Sequence, residues 1–169
     1  MKKGFLFCIF KYEIQLYLGL NSIKQNIKTE VLRQLQLKIK DISNAITLLT
    51  DSRDADTKSS AGDKHETSRA KIQTEIDQHY KQLINAQNQK NCLSNIDTKH
   101  IHSKADVGSL IKTDKGFFFI STGWGRIQIL DENYFVISIE SPIGRLLKNK
   151  KKGDSIQFRN TAYDILGVS

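Results

Sequence analysis

From Asn21 onward the apolar residues fall at Ile23, Ile27, Val31, Leu35, Ile39, Ile42, Ile46 and Leu49. The steps are threes and fours, which keep one face of a helix apolar and cannot be a strand alternation. The spacing predicts a helix that starts at Asn21 or Ser22, either of which can cap it. Some thirty residues at ~1.5 Å each would make it roughly 45 Å long. A second pattern, Ile72, Ile76, Tyr80, Leu83 and Ala86, predicts another helix over about Glu66 to Asn91. Its other faces carry Gln, Asn, Lys and Asp. Each helix has one narrow apolar stripe, so each finds its burial against the other. An antiparallel coiled-coil hairpin over 21–92 is expected, too long for the rest of so short a chain to wrap, with its far end in solvent.

Beyond Cys92 the period changes. Residues 93–106 form a connector, and strand-like segments follow: Val107 to Ile111, a TDKG turn, FFFIST, IQIL (127–130), YFVISI (134–139), SIQF (155–158) and YDILGV (163–168). One helix interrupts them. Ser141 before Pro142 is a capping residue ahead of a proline at the first helical position, and IGRLLKNK continues from it. KKGD (151–154) supplies a turn. Strands with a helix packed on them over 107–169 make the whole chain α+β: a helical hairpin, then a small mixed domain.

Charge sharpens one place. The chain of 169 residues has a formal net charge of +8, which suits a polyanionic neighbourhood such as nucleic acid or an acidic protein surface. Against that background, Asp51 to Glu66 gathers five acids (Asp51, Asp54, Asp56, Asp63, Glu66) and three bases (Arg53, Lys58, Lys64). No Val, Ile, Leu, Met, aromatic or Cys occurs between Leu49 and Ile72. A loop between helices is polar because it is wet, but this tip, about 50–66, is longer than a simple reversal needs. With 38% hydrophobic and 26% charged residues, the composition is that of a soluble globular chain. Cys8 and Cys92 are too few and too distant for a disulfide framework, which fits a reduced, cytoplasmic setting. The start, MKKGFLFCIF, imitates a secretory signal. Its apolar run is short, a KYE interrupts, and no small-residue cleavage site follows. Residues 1–20 are left unassigned, as an accessory helix or strand or a stretch upstream of the usual start in related proteins. No run approaches the ~20 apolar residues of a membrane span.

The segment SPIGRLLKNKKKGD, with VISIE before it and YDILGV after it, resembles the C-terminal domain of bacterial transcript-cleavage factors of the Gre type (the GreA/GreB family). The likeness covers about Asn133 to Val168, and the helical hairpin in front is in the family's order. The resemblance implies an FKBP-like fold for the C-terminal domain. It implies a transcription elongation factor, not itself an enzyme, that binds bacterial RNA polymerase. Ser141, Pro142, Ile143 and Arg145 would meet the rim of the secondary channel. The coiled coil would enter that channel and stimulate the polymerase's own cleavage of backtracked RNA. Nascent RNA, and DNA of the same complex, would be its further contacts.

The resemblance also implies the acids that act. The family's tip carries Gly-Asp-x-x-Glu, and Gly62-Asp63-Lys64-His65-Glu66 reproduces that spacing. Asp63 and Glu66, three apart at a helix start, share a side and would hold a Mg²⁺ jointly with the polymerase. Mg²⁺ takes oxygen ligands and keeps most of its waters, and phosphodiester hydrolysis profits from two metals. This chain departs after Glu66: Thr67-Ser68 follow where the family has Asn-Ala-Glu-Tyr, and Arg69 comes three residues on rather than eight. Asp51, Asp54 and Asp56 are additional candidates. A second function is therefore a channel-binding modulator that does not stimulate cleavage. A third is an FKBP-like prolyl isomerase or chaperone, whose aromatic ring would be drawn from Phe117 to Phe119, Trp124, Tyr134 and Phe135. A coiled-coil adaptor leaves SPIGRLL unexplained. His100 and His102, with no carboxylate or Cys cluster beside them, read as a solvated connector, and His65 as a bystander. Gly123-Trp124-Gly125 reads as a turn. Lys148 and Lys150 to Lys152 read as a basic turn able to meet polymerase or nucleic acid. A hairpin that buries its own stripe favours a monomer.

Overall fold

The structure, a computed structural model, describes the backbone of residues 3–55 and 63–169 and the side chains of 22–55 and 66–169. It has a helical hairpin, α1 (Lys3–Ala55) and α2 (Asp63–Ser94), followed by a small mixed six-stranded sheet with one short helix. The chain divides into two compact units, Leu32–Asn91 and Met1–Val31 with Cys92–Ser169. The class is α+β.

In the unit 32–91, Leu35, Ile42 and Ile46 of α1 and Ile76 and Ala86 of α2 are buried, as the stripes predict. Tyr80 is not: it is 49% exposed. Each step of four overshoots a full turn by about 40°, so two such steps from Ile72 carry Tyr80 off the seam. The step of three to Leu83, half-buried, corrects the drift.

In the other unit the base of the hairpin closes on Ile27, Val31, Leu93 and Ile96. Polar contacts run alongside. Lys28 Nζ donates to the carbonyls of Ser94 (2.8 Å) and Ile96 (2.7 Å), Thr98 Oγ1 to Gln25 Oε1 (2.8 Å), and Lys24 Nζ to the His100 carbonyl (2.7 Å). As the α1 number falls the partner number rises, which is antiparallel pairing. The last carbonyls of a helix lack intrahelical partners, and Lys28 supplies one at the end of α2, where a cation also suits the helix dipole.

The helix boundaries differ from those read in the sequence; α1 runs past residue 50 to Ala55, and α3 (Pro142–Leu147) stops at Leu147 rather than continuing through KNK. α1 does not begin at Asn21 but at Lys3, so neither Asn21 nor Ser22 caps it. Residues 3–20 contain no proline, and the glycines at 4 and 19 cost only ~1 kcal/mol each. α2 begins at Asp63 and ends at Ser94, a few residues beyond each expected end.

The strands are β1 (Leu110–Thr113), β2 (Gly116–Ser121), β3 (Gly125–Ile129), β4 (Glu132–Ser138), β5 (Ser155–Phe158) and β6 (Thr161–Val168), in the order β3-β4-β2-β1-β6-β5. All pairings are antiparallel except β2 with β4, where Phe118 lies beside Phe135 and Phe119 beside Val136. Most strand ends move by one to three residues: β1 runs 110–113 rather than 107–111, β2 116–121 rather than 117–122, β3 125–129 rather than 127–130, β4 132–138 rather than 134–139, and β6 begins at 161 rather than 163, while β5 is as expected. Residues 107–109 belong to a turn: Ser109 Oγ donates to the Asp106 carbonyl, and Gly108 has a φ of 90°, a conformation costly for any residue with a Cβ. Leu130 is not the last residue of β3. Leu130 and Asp131, at φ 49° and 66°, make the two-residue turn to β4.

β2 is buried on both faces. On one, Ile111, Phe118, Ile120, Ile156 and Ile165 form a cluster with Leu147 of α3 (Pro142–Leu147). On the other, register puts Phe119 beside Leu110 and Val136, and all three are at most 2% exposed.

Leu35 and Leu48 test the seam. Leu35→Ala should lower unfolding free energy in urea by about 2–5 kcal/mol. Leu48→Ala, at a site 70% exposed, should stay within about 0.5 kcal/mol of wild type.

Candidate functional site

Two places carry the predicted chemistry, and a third adds to them. At the end of the hairpin, α1 finishes with Asp51 and Asp54 exposed. Asp63 opens α2, and Glu66 is exposed one turn later. The sequence spacing thus survives as a helical one. The side chains of Asp63 and His65, and residues 56–62 with Asp56 and Gly62, lie outside the described residues. Glu66 does not stand among acids alone. It shares an open cleft of about 420 Å³ with Arg53, Asp54, Arg69, Ala70 and Gln73. Arg53 donates through Nε and Nη2 to Asp54 Oδ1, each at 2.9 Å, and through Nη1 to Gln73 Oε1 at 2.7 Å. Gln73 passes the chain on, from Nε2 to Asp77 Oδ1 at 2.8 Å. The cleft therefore balances two guanidinium groups against two carboxylates, and one arginine ties α1 to α2. Sequence reading counted Arg53 only as a base in an acidic run; its position one turn from the end of α1 was the available clue.

In the sheet unit the Ser141 turn serves the fold. Ser141 has extended backbone (φ −66°, ψ 155°); its Oγ accepts from Gly144 N (3.1 Å) and donates to the Ser138 carbonyl (2.6 Å). Pro142 fills the first helical position, where no N–H is needed. A Cβ at Gly144 would lie 2.1 Å from Ser138 O and 2.9 Å from Ile139 O, so glycine alone fits. Ile143 packs on the core and Leu147 is wholly within it. Of the four residues expected to meet a partner, the structure leaves Pro142 and Arg145 exposed and commits Ser141 and Ile143 mainly to the fold. Arg145 reaches only Glu140, at 3.2 Å, in a pair with both side chains about 70% exposed; such pairs contribute little.

The third place was not expected. Lys24 is fully buried, and burial pulls its ammonium below the ordinary lysine value, opposed by Asp97. His100 and His102 meet edge-on at 4.5 Å. Burial, then the charges of His100 and Lys24, hold His102 below the usual histidine value against Asp106. Among the described residues no three His, Cys, Asp or Glu gather as a metal site. Lys24 and Lys28, four apart beside the apolar stripe, were visible in the sequence as charges on the wrong face.

Of the aromatics considered for an isomerase pocket, Phe118, Phe119 and Tyr134 are buried and Phe117 and Trp124 half-buried; Phe118 stacks on Phe135 at 5.4 Å and meets Tyr163 edge-on. Among the described residues, no helix is long and apolar enough to cross a membrane. No protein-family model, curated protein or solved structure matches the chain.

Two outcomes follow. Gly144→Ala should cost about 3 kcal/mol or more in a denaturant titration, because backbone oxygens cannot yield as side chains do. The unfolded chain binds a proton at His102 near pH 6.5, while the folded chain resists it. Stability is thus full above that pH and falls as pH drops through it toward the lower folded value. Thermal melts should show this slope, and His102→Gln should flatten it.

Proposed function

We propose that this chain is a transcription elongation factor of the Gre type. It binds bacterial RNA polymerase and brings the α1–α2 end to the active site of a backtracked complex. The observation that carries the reading is the pairing of two features in one chain. An exposed Glu66 lies one helical turn after Asp63, and a capped Ser-Pro turn keeps Pro142 and Arg145 at the surface.

Each part then has a task. Pro142 and Arg145 are the rim contacts, with Ser141 and Ile143 fixing the turn from which they project. Asp63 and Glu66 offer the oxygen donors that Mg²⁺ takes. Two carboxylates are too few for a self-sufficient metal site, so they complete a shell the polymerase supplies. The ion, when bound, would polarise phosphate and water oxygens; the chain's own work is to deliver, space and orient the acids. The factor has no turnover of its own, works in the cytoplasm as a monomer, and contacts nascent RNA, with DNA of the complex within reach.

One observation favours a second reading. Arg53 and Arg69 in the cleft oppose the charge of Glu66 and Asp54, which weakens the pull on a dication. A factor so built would occupy the channel and modulate transcription without stimulating cleavage.

Halted, backtracked complexes made with the polymerase of the same organism separate the two. Wild-type protein should raise RNA cleavage at fixed Mg²⁺, and Asp63→Ala/Glu66→Ala should reduce that stimulation by roughly 10²-fold while polymerase binding persists. Arg145→Glu should weaken binding. Bound protein without stimulation would establish the modulator. Absence of binding would sink both readings.

A further inference from the structure

The loop after α3 reads Lys148-Asn149-Lys150-Lys151-Lys152, four lysines in five residues. It is held firmly by its backbone. Asn149, at a φ of 64°, donates its N–H to the Ala105 carbonyl (2.8 Å), and Ala105 N donates to the Lys150 carbonyl (2.7 Å). Lys151 N donates to Asp154 Oδ2 (2.9 Å), and Gly153 N to the Ile165 carbonyl (2.9 Å). The pairing with Ala105 sets Lys104 beside the loop as a fifth cation.

The fold does not use these charges. Among the described residues, none of the five ammonium groups has an ion pair or hydrogen bond. Glu140 is paired with Arg145, and Asp154 and Asp106 accept neutral backbone N–H groups, so two carboxylates stand against five lysines and the segment stays net positive. A cation at the end of α3 accounts for Lys148 alone. Like charges fixed this close raise the energy of the folded chain, and a polyanion would relieve it.

We propose that the loop 148–152, with Lys104, is a binding surface for the phosphate backbone of duplex DNA. The side-chain types narrow the partner. Lysine is a point charge that meets phosphate without fixed geometry. Segments 103–106 and 145–154 contain no aromatic residue. They therefore offer no platform for the bases of a single strand and no aromatic anchor of the kind that dominates protein interfaces. α3 spans six residues, roughly 9 Å, between Pro142 and the loop. The loop thus lies close to the proposed polymerase contact. The inference concerns the free protein and stands apart from the cleavage reading.

The test is fluorescence anisotropy with labelled random-sequence duplex DNA, without polymerase, across a salt series. Three proteins are compared: wild type, Lys148→Gln/Lys150→Gln/Lys151→Gln/Lys152→Gln, and Lys38→Gln/Lys40→Gln/Lys71→Gln/Lys81→Gln, which removes the same charge from the hairpin. The loop variant should lose about tenfold or more in affinity. Its slope of log K against log salt should shrink by about 0.9 for each lysine that meets a phosphate. The hairpin variant should keep both closer to wild type. Equal losses in the two variants would reduce the effect to net charge and overturn the site. So would unchanged binding by the loop variant, or loop-dependent binding that prefers single strands, polyglutamate or anionic vesicles to the duplex. Melting temperatures within a few degrees of wild type show that each variant folds.

Discussion

The apolar stripe of each long helix is about one residue wide, and that narrowness governs the hairpin. Ile27, Val31 and Leu35 are fully buried while the residues flanking them are half-buried or exposed. A stripe so thin cannot hold a helix alone, so α1 and α2 are stable only as a pair. It also leaves little apolar area to fix their register. Polar contacts then matter more than usual. At the base, Lys24 and Lys28 reach carbonyls of the segment leaving α2; near the tip, Arg53 reaches Gln73. Each is satisfied only in one register. Burying the Lys24 ammonium costs free energy that its carbonyl partner returns only in part, which suits a contact serving specificity more than stability.

The sheet unit solves a different problem. β2 is buried on both faces and has a parallel neighbour in β4, so its sequence, FFFIS, is apolar almost throughout rather than alternating. α3 is short, and it sits where it does because Ser141, Pro142 and Gly144 leave the backbone no alternative. That economy has a functional side. Once the cap, the close approach and the core contact are assigned, the residues left at the turn are few, and Pro142 and Arg145 are the ones a partner can read.

The sequence carried the elements well and their ends poorly, for physical reasons. The three-and-four spacing identified both helices and their buried face because burial is what selects it. It could not locate the start of α1, since Asn21 and Ser22, though favoured at a cap, are tolerated inside a helix when residues 3–20 continue it. Leu130 looked like a strand residue because side-chain type does not reveal a positive φ. The acids were legible as an anomaly of charge. Their neighbours Arg53 and Arg69 were not legible as partners, because which groups face one cleft depends on how two helices are phased.

The phasing changes what the acidic tip means. Five acids in sixteen residues suggest a bare negative probe, yet the described part of the tip is nearly neutral, with Arg53 bound to Asp54 and Arg69 beside Glu66. Guanidinium groups beside carboxylates lower the affinity for a dication in isolation and hold the acids in place until stronger charge arrives. In a site that already held metal and phosphate, the arginines could turn to phosphate oxygens and release the carboxylates. In a site that did not, the same pairs would stay closed. For the proposed cleavage, the balance of two against two is thus workable only where the partner supplies most of the field.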